Sequence, residues 1–171
     1  MRHFAIVGLL VYSHLANAQK VSKKDYLVTL ETNKGTMHMV LFDDTPLHKA
    51  NFLKLAEEGF YNGTLFHRVK NDFMIQGGDP LSKNAAKGAR LGAGGGELAR
   101  IPYEFTTKHV HLKGTLAAAR TGNPEKASSG CQFYIVTGKK YTEQQIIQTE
   151  RSLAAKQEGR EPFTYTEEQK E

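Results

Sequence analysis

The sequence predicts a mainly β domain, a barrel or sandwich with two helices, and three observations carry that prediction. Short β-prone runs recur between turn residues from Tyr26 to Thr137, and only two longer stretches carry helix-start signals. A hydrophobic share of 39% against 24% charged is the balance of an ordinary globular chain, and 171 residues fit one domain.

Tyr26–Thr32 and Thr36–Phe42 are β-prone, and Asn33-Lys34-Gly35 between them puts Gly where a tight turn needs positive φ, so the pair reads as an opening hairpin. Asp43-Asp44-Thr45-Pro46 then sets an N-cap candidate before a Pro suited to the first helical position. The stripe Leu47, Ala50, Phe52, Leu53, Leu55 and Ala56 extends a helix over Pro46–Glu58, ended by Gly59. Further strands are expected at Leu65–Val69, Phe73–Ile75, Ile101–Phe105, Gly114–Ala118 and Gln132–Thr137, with a long surface loop from Ser82 to Gly96. Thr142 and Gln145 match a capping box and open a polar helix that Gly159 and Pro162 close. Tyr165–Gln169 repeats that helix start, yet the sequence reaches only Glu171, so the domain is expected to be C-terminally incomplete.

At the N-terminus, Arg2 and His3 precede an apolar run from Phe4 that ends in Ala16-Asn17-Ala18 and then Gln19-Lys20. A positive start, a short apolar core and an A-x-A end are the pattern of a secretory signal peptide. Residues 1–18 are therefore expected to be removed, leaving 19–171 as the mature domain, exported to the periplasm or beyond the cell. The apolar run is shorter than the roughly 20 residues that span a bilayer, so no membrane span is expected. One cysteine, Cys131, excludes an internal disulfide and is expected as a small buried hydrophobe on a strand. The net charge of +5 is spread along the chain rather than gathered into a tract, which argues against nucleic acid as a partner.

The most specific stretch is Phe66-His67-Arg68-Val69 followed by Phe73-Met74-Ile75-Gln76-Gly77-Gly78-Asp79. If both segments are strands, Arg68 and Gln76 project a cation and an amide beside apolar Phe73 and Met74, a surface suited to an apolar ring on a polar backbone. These motifs, with Gly114–Gly122 and Ser129–Ile135 downstream in the same order, resemble the cyclophilins over roughly Tyr26 to Thr137. The resemblance implies an eight-stranded antiparallel barrel capped by helices, whose closing strand is expected to be missing here. It implies a peptidyl-prolyl cis-trans isomerase with Arg68 catalytic. Phe73, Met74 and Tyr134 would line the proline pocket, and Gln76, Ala119, Arg120 and Gln132 would hold the substrate backbone. Its partners would be proline-containing polypeptides and cyclosporin-like cyclic peptides, bound by a monomer without metal or cofactor. A non-catalytic proline-peptide-binding chaperone module is the alternative.

Physical chemistry agrees with an arginine in that role. The rotation barrier of about 18–20 kcal/mol comes from lone-pair delocalisation, so a donor to the prolyl nitrogen favours the twisted state. Two departures stand out: Tyr134 where many relatives carry Phe, adding a hydroxyl that needs a partner, and Arg120 where Asn is usual, whose main-chain groups can still serve. His67 is read as a satisfied structural residue rather than a general base. His109 and His111 on one strand face would make an adventitious metal site at most. Gly92–Gly96 lacks the Lys-Ser/Thr of a phosphate loop.

Overall fold

The computed structural model describes residues 25–155, which divide into a unit ending at Asp44 and a unit beginning at Thr45. The expected leader, the Gly159–Pro162 helix stop and the second helix start lie outside the described residues.

The first unit is the opening hairpin. Strands β1 (Tyr26–Thr32) and β2 (Gly35–Leu41) pair antiparallel from Tyr26↔Leu41 to Thr32↔Gly35, leaving Asn33-Lys34 as a two-residue loop. Thr32 Oγ1 closes the turn, donating to Gly35 O at 2.8 Å while accepting from Lys34 N at 3.0 Å.

In the second unit, helix α1 spans Pro46–Glu57. It ends in a Schellman motif: Phe60 N donates to Leu55 O at 2.9 Å and Gly59 N to Ala56 O at 3.0 Å, with Gly59 at φ 69° where a Cβ would strain. Its start departs from expectation, because the Thr45 side chain makes no capping bond. Glu104 caps the helix instead, accepting from Leu47 N and His48 N at 2.9 Å each.

The sheltered face of α1 is also not the expected apolar stripe. Leu47 is 49% exposed, Ala50 and Ala56 are exposed, and only Leu55 is fully buried. The inward face runs His48, Asn51, Phe52, Leu55, the spacing of one helical side, with polar residues at two of its four positions. Asn51 Nδ2 donates to Gly130 O at 2.8 Å, and His48 Nε2 meets Ser128 Oγ at 3.1 Å, so distant partners satisfy both. Phe52 packs on Tyr61 at 5.0 Å and edge-on to Phe133 at 5.6 Å, tying the helix to the sheet.

That sheet is antiparallel, ordered β3-β4-β6-β5, with β3 at Arg68–Lys70, β4 at Met74–Gly77, β5 at Leu116–Ala118 and β6 at Phe133–Val136. The expected strand Leu65–Val69 is confined to its end, because Leu65 N turns away to Ser82 Oγ at 2.9 Å. Ile101–Phe105 is not a strand but a single bridge, Ile101↔Ser128, since Pro102 has no N–H to continue a ladder. His109-Val110-His111 is likewise not a strand. Cys131 is buried at 2% exposure yet precedes β6 instead of lying on a strand. The stretch Ser82–Gly96 has little regular structure, as expected, but it is not wholly on the surface: Ser82 is fully buried at the end of a 3-10 turn, and Gly95 is buried.

Helix α2 spans Glu143–Ala155 and opens with the expected capping box: Thr142 N donates to Gln145 Oε1 at 3.0 Å and Gln145 N to Thr142 Oγ1 at 3.3 Å. Among the described residues there are six strands, antiparallel throughout, with two α-helices and no closed barrel. No described helix is long and apolar enough to cross a membrane.

Candidate active site

The β3–β4 hairpin positions the central residues. Lys70 pairs with Met74, so Asn71, Asp72 and Phe73 form a three-residue loop in which Asp72 takes the left-handed conformation, φ 55°. The loop presents Phe73 45% exposed, while Met74 turns inward at 1%. Arg68 stands directly across from Gln76 in the register, exposed, and its Nη1 donates to Gln76 Oε1 at 3.1 Å.

From there a chain of amides runs inward. Gln76 Nε2 donates to Gln132 Oε1 at 2.9 Å, and Gln132 Nε2 donates to Gly92 O at 3.1 Å and Gly94 O at 3.0 Å. Asp79, fully buried, holds the same loop from the other side by accepting from Gly92 N and, at 2.8 Å, from Leu81 N. Arg68, Gln76, Gln132 and the Gly92–Gly94 backbone are thus one network, running from the exposed guanidinium to the buried Gln132 amide.

Tyr134 forms the next wall. Its ring lies 6.2 Å from Phe73 and stacks on His111 at 5.8 Å. Its hydroxyl meets His111 Nε2 at 2.6 Å, so the extra oxygen has the partner it requires. Burial pushes the Tyr134 phenol above its usual range, and the Arg120 charge opposes that rise. Ala119 is buried, its N donating to Gln132 O and its O accepting from Ser129 N, both at 2.8 Å. Arg120 follows it, exposed, with its guanidinium 5.4 Å over the Phe105 ring.

The structure therefore gathers Arg68, Phe73, Gln76, Gln132 and Tyr134 around the β3–β4–β6 surface, with Met74 sealed beneath it and Ala119-Arg120 following β5. Sequence reasoning missed Asp79, which was inside the quoted motif, and His111, whose partner lies 23 residues away. It also expected a satisfied His67. That ring packs against Gly92, with both nitrogens buried and neither hydrogen-bonded among the described residues. No cluster of three or more His, Cys, Asp or Glu that could hold a metal occurs among the described residues.

The site is an exposed guanidinium and an aromatic wall on an antiparallel sheet, and comparison with known proteins gives its family. The family described as cyclophilin type peptidyl-prolyl cis-trans isomerase/CLD matches residues 27–149. The chain belongs to the cyclophilin-type peptidyl-prolyl cis-trans isomerase family. It is 42% identical over 107 residues to a peptidyl-prolyl cis-trans isomerase of Synechococcus elongatus, covering 62% of this chain and 65% of that protein. A cyclophilin type peptidyl-prolyl cis-trans isomerase of Cryptosporidium parvum superposes with a TM-score of 0.50 at 30% identity, over 66% of this chain and 65% of that one. The same protein solved in the presence of the dipeptide Ala-Pro gives 0.51 at 29% identity, over 65% and 67%. The chain spans well under two thirds of some relatives: 22% of a Streptococcus pyogenes protein, 41% identical over 116 residues that cover 66% of this chain.

Proposed function

We propose that this chain accelerates cis–trans rotation about X-Pro bonds in extended or unfolded polypeptides, assisting their folding. The observation that carries the reading is Arg68: an exposed guanidinium held by Gln76 on the hairpin whose loop presents the half-exposed Phe73 ring. A guanidinium has five N–H donors, and Gln76 takes one, so donors remain for a peptide carbonyl and the prolyl nitrogen.

In the planar ground state the prolyl nitrogen's lone pair is delocalised and accepts poorly. It localises as the bond twists, so an Arg68 hydrogen bond to it strengthens only toward the transition state, which lowers the barrier. Phe73 and Tyr134 supply an apolar wall for the ring, and the fixed amides of Gln76 and Gln132 keep the arginine aimed. The Ala-Pro dipeptide named with the Cryptosporidium parvum protein supports proline peptides as the ligand class. No nucleophile takes part in this scheme.

The reading extends to the rest of the protein: an eight-stranded barrel to which the described strands belong, a monomer competed by cyclosporin-like cyclic peptides, and export through the 1–18 leader. A mature N-terminus at Gln19, found by mass spectrometry of secreted or periplasmic fractions, tests the export. For the activity, exchange of an Ala-Pro peptide is followed by NMR. Catalysis is expected from this chain, with Arg68→Ala losing about 10²–10³-fold, the scale for one preorganised donor. An Arg68→Ala protein with unchanged kcat/KM overturns the mechanism, and binding without acceleration would favour the non-catalytic module.

A further inference from the structure

A cationic stack starts at Arg120, just beyond the end of β5. Tyr103 and Phe105 are 56% and 65% exposed, and their rings stack 5.3 Å apart at 26°. Lys126 Nζ lies over Tyr103 at 5.9 Å, and the Arg120 guanidinium lies over Phe105 at 5.4 Å. Cation, ring, ring and cation form one continuous run, in which the rings fix the charges that would otherwise swing in water.

The backbone beneath that run is tied at several points. Ile101 exchanges both of its main-chain bonds with Ser128, at 3.1 and 2.8 Å. Glu104, between the two rings in sequence, is spent on the start of α1. Asn123 pins the loop that carries both cations, donating to Thr121 O at 2.8 Å and Ala127 O at 2.9 Å and accepting from Ala127 N at 2.8 Å. Among the described residues neither Arg120 nor Lys126 has an ion-pair partner, although Glu125 precedes Lys126 in the loop. Each ring already carries the other ring and a cation, which leaves a poor platform for stacked bases and disfavours single-stranded nucleic acid.

Arg120 also stands next to the candidate site, just past the strand that pairs with β6 and Tyr134. It directly follows Ala119, whose main chain is locked to β6 through Gln132, and its charge acts on the Tyr134 phenol. An anchored, unneutralised cation at the rim of a peptide groove discriminates by the charge of what lies beside it.

We infer that Arg120, held over Phe105, makes the site selective for peptides with a carboxylate side chain within two residues of the proline. This rests on the isomerase reading above. The neighbouring Lys126 adds positive potential of the same sign, and Arg100 adds more, its Nη1 donating weakly to Thr121 Oγ1 at 3.5 Å.

The test is a set of proline peptides that differ only in Glu, Gln or Lys at positions flanking the proline, assayed by NMR exchange and, separately, by chemical-shift binding titration. Glu over Gln is expected to gain about 3–5-fold in kcat/KM, the range for an exposed ion pair, and Lys to lose a similar factor. The contrast should collapse in 0.5 M salt, a concentration chosen to shorten screening to roughly 4 Å. It should also disappear in Arg120→Gln and shrink by about half in Phe105→Leu. Equal handling of Glu and Lys peptides, or a contrast that survives Arg120→Gln, overturns the inference. So does a single-stranded oligonucleotide that displaces the Glu peptide and loses that ability in Tyr103→Ala. Affinity ranking by titration decides the inference even where no rate enhancement is found, so its failure and that of the isomerase reading are told apart.

Discussion

Replacing Glu104 should destabilise the fold more than any other single surface-facing carboxylate change, because one side chain stands in for the missing cap of α1. Its carboxylate accepts from Leu47 N and His48 N at 2.9 Å each and meets His48 Nδ1 at 2.6 Å. Its side chain is only 12% exposed, so solvent screening discounts these bonds little. Hydrogen bonds to a charged group contribute about 1.5–3 kcal/mol each in favourable cases, and orphaned helix N–H groups can partly rehydrate, so Glu104→Ala should cost about 3 kcal/mol. Glu104→Gln keeps an acceptor but loses the charge at the positive helix end, and should cost about 1–2 kcal/mol. Burial pushes the Glu104 carboxyl up, but the Leu47 and His48 bonds outweigh it and hold the group below its ordinary value of 4.5. A depressed carboxylate contributes stability that is present above its unfolded value and lost as pH falls through its folded one. The gap between wild type and Glu104→Gln should therefore be fully present above the ordinary value of 4.5 and close only as pH falls below it. Urea unfolding of the whole chain measures it: with m near 2 kcal/mol/M, Glu104→Ala should lower the midpoint by about 1.5 M. A midpoint shift under about 0.3 M at pH 7, or a gap that widens toward acid, refutes the capping argument.

Three further outcomes follow. Gly95→Ala would drive a Cβ into Cys131 Sγ at φ 85°, so thermal melting should fall by the equivalent of at least about 2 kcal/mol, and a wild-type melt would refute the packing. Burial pushes the Cys131 thiol up, the Ser129 bond opposes it, and Glu97 and Asp79 add to it. Labelling by a thiol reagent at pH 8 should thus run at least about tenfold slower than for a free cysteine until urea is added, and free-cysteine rates would count against that environment. Ultraviolet titration should show Tyr134 ionising above the ordinary phenol value of 10, with its contribution to stability present below that pH and lost as pH rises past it. Comparison with Tyr134→Phe, which should lose about 0.5–1 kcal/mol with the His111 bond, assigns the signal, and ionisation at or below 10 would contradict the burial.

What could be read from the sequence was local. Thr32 to Gly35, Pro46, Gly59 and the Thr142–Gln145 box each fix a turn or helix end from a few neighbouring residues, and each element stands where those residues put it. The misreadings at α1 share a cause, a partner distant in the chain. Glu104 reaches 57 residues back to cap α1, and Ser128 reaches 80 back to His48. No window of sequence contains both members of such a pair. The α1 stripe failed for the same reason: His48 and Asn51 occupy inward positions because remote atoms satisfy them, and a pattern read by hydrophobicity counts them as outward. Pro102 was the one overlooked local signal, enough by itself to demote Ile101–Phe105 from a strand. The site was more legible than the fold around it, because Arg68 and Gln76 are eight residues apart across a tight hairpin.

That hairpin explains why the glutamines matter without having to touch the reacting bond. The Gln132 amide is fully used: its oxygen serves Gln76 and its nitrogen serves the Gly92 and Gly94 carbonyls. Ala119 likewise gives its N–H and C=O to its own sheet and loop. Donors left uncommitted around the hairpin are the remaining N–H groups of Arg68, the second N–H of the Gln76 amide and the Lys70 ammonium, whose Nζ lies 5.7 Å from the Phe73 ring centroid. Internal bonds use up the Gln132 amide, while Arg68 keeps donors facing solvent. On the isomerase reading proposed above, the Gln76 bond aims the Arg68 guanidinium before a substrate arrives, with little reorganisation left for the moment of rotation.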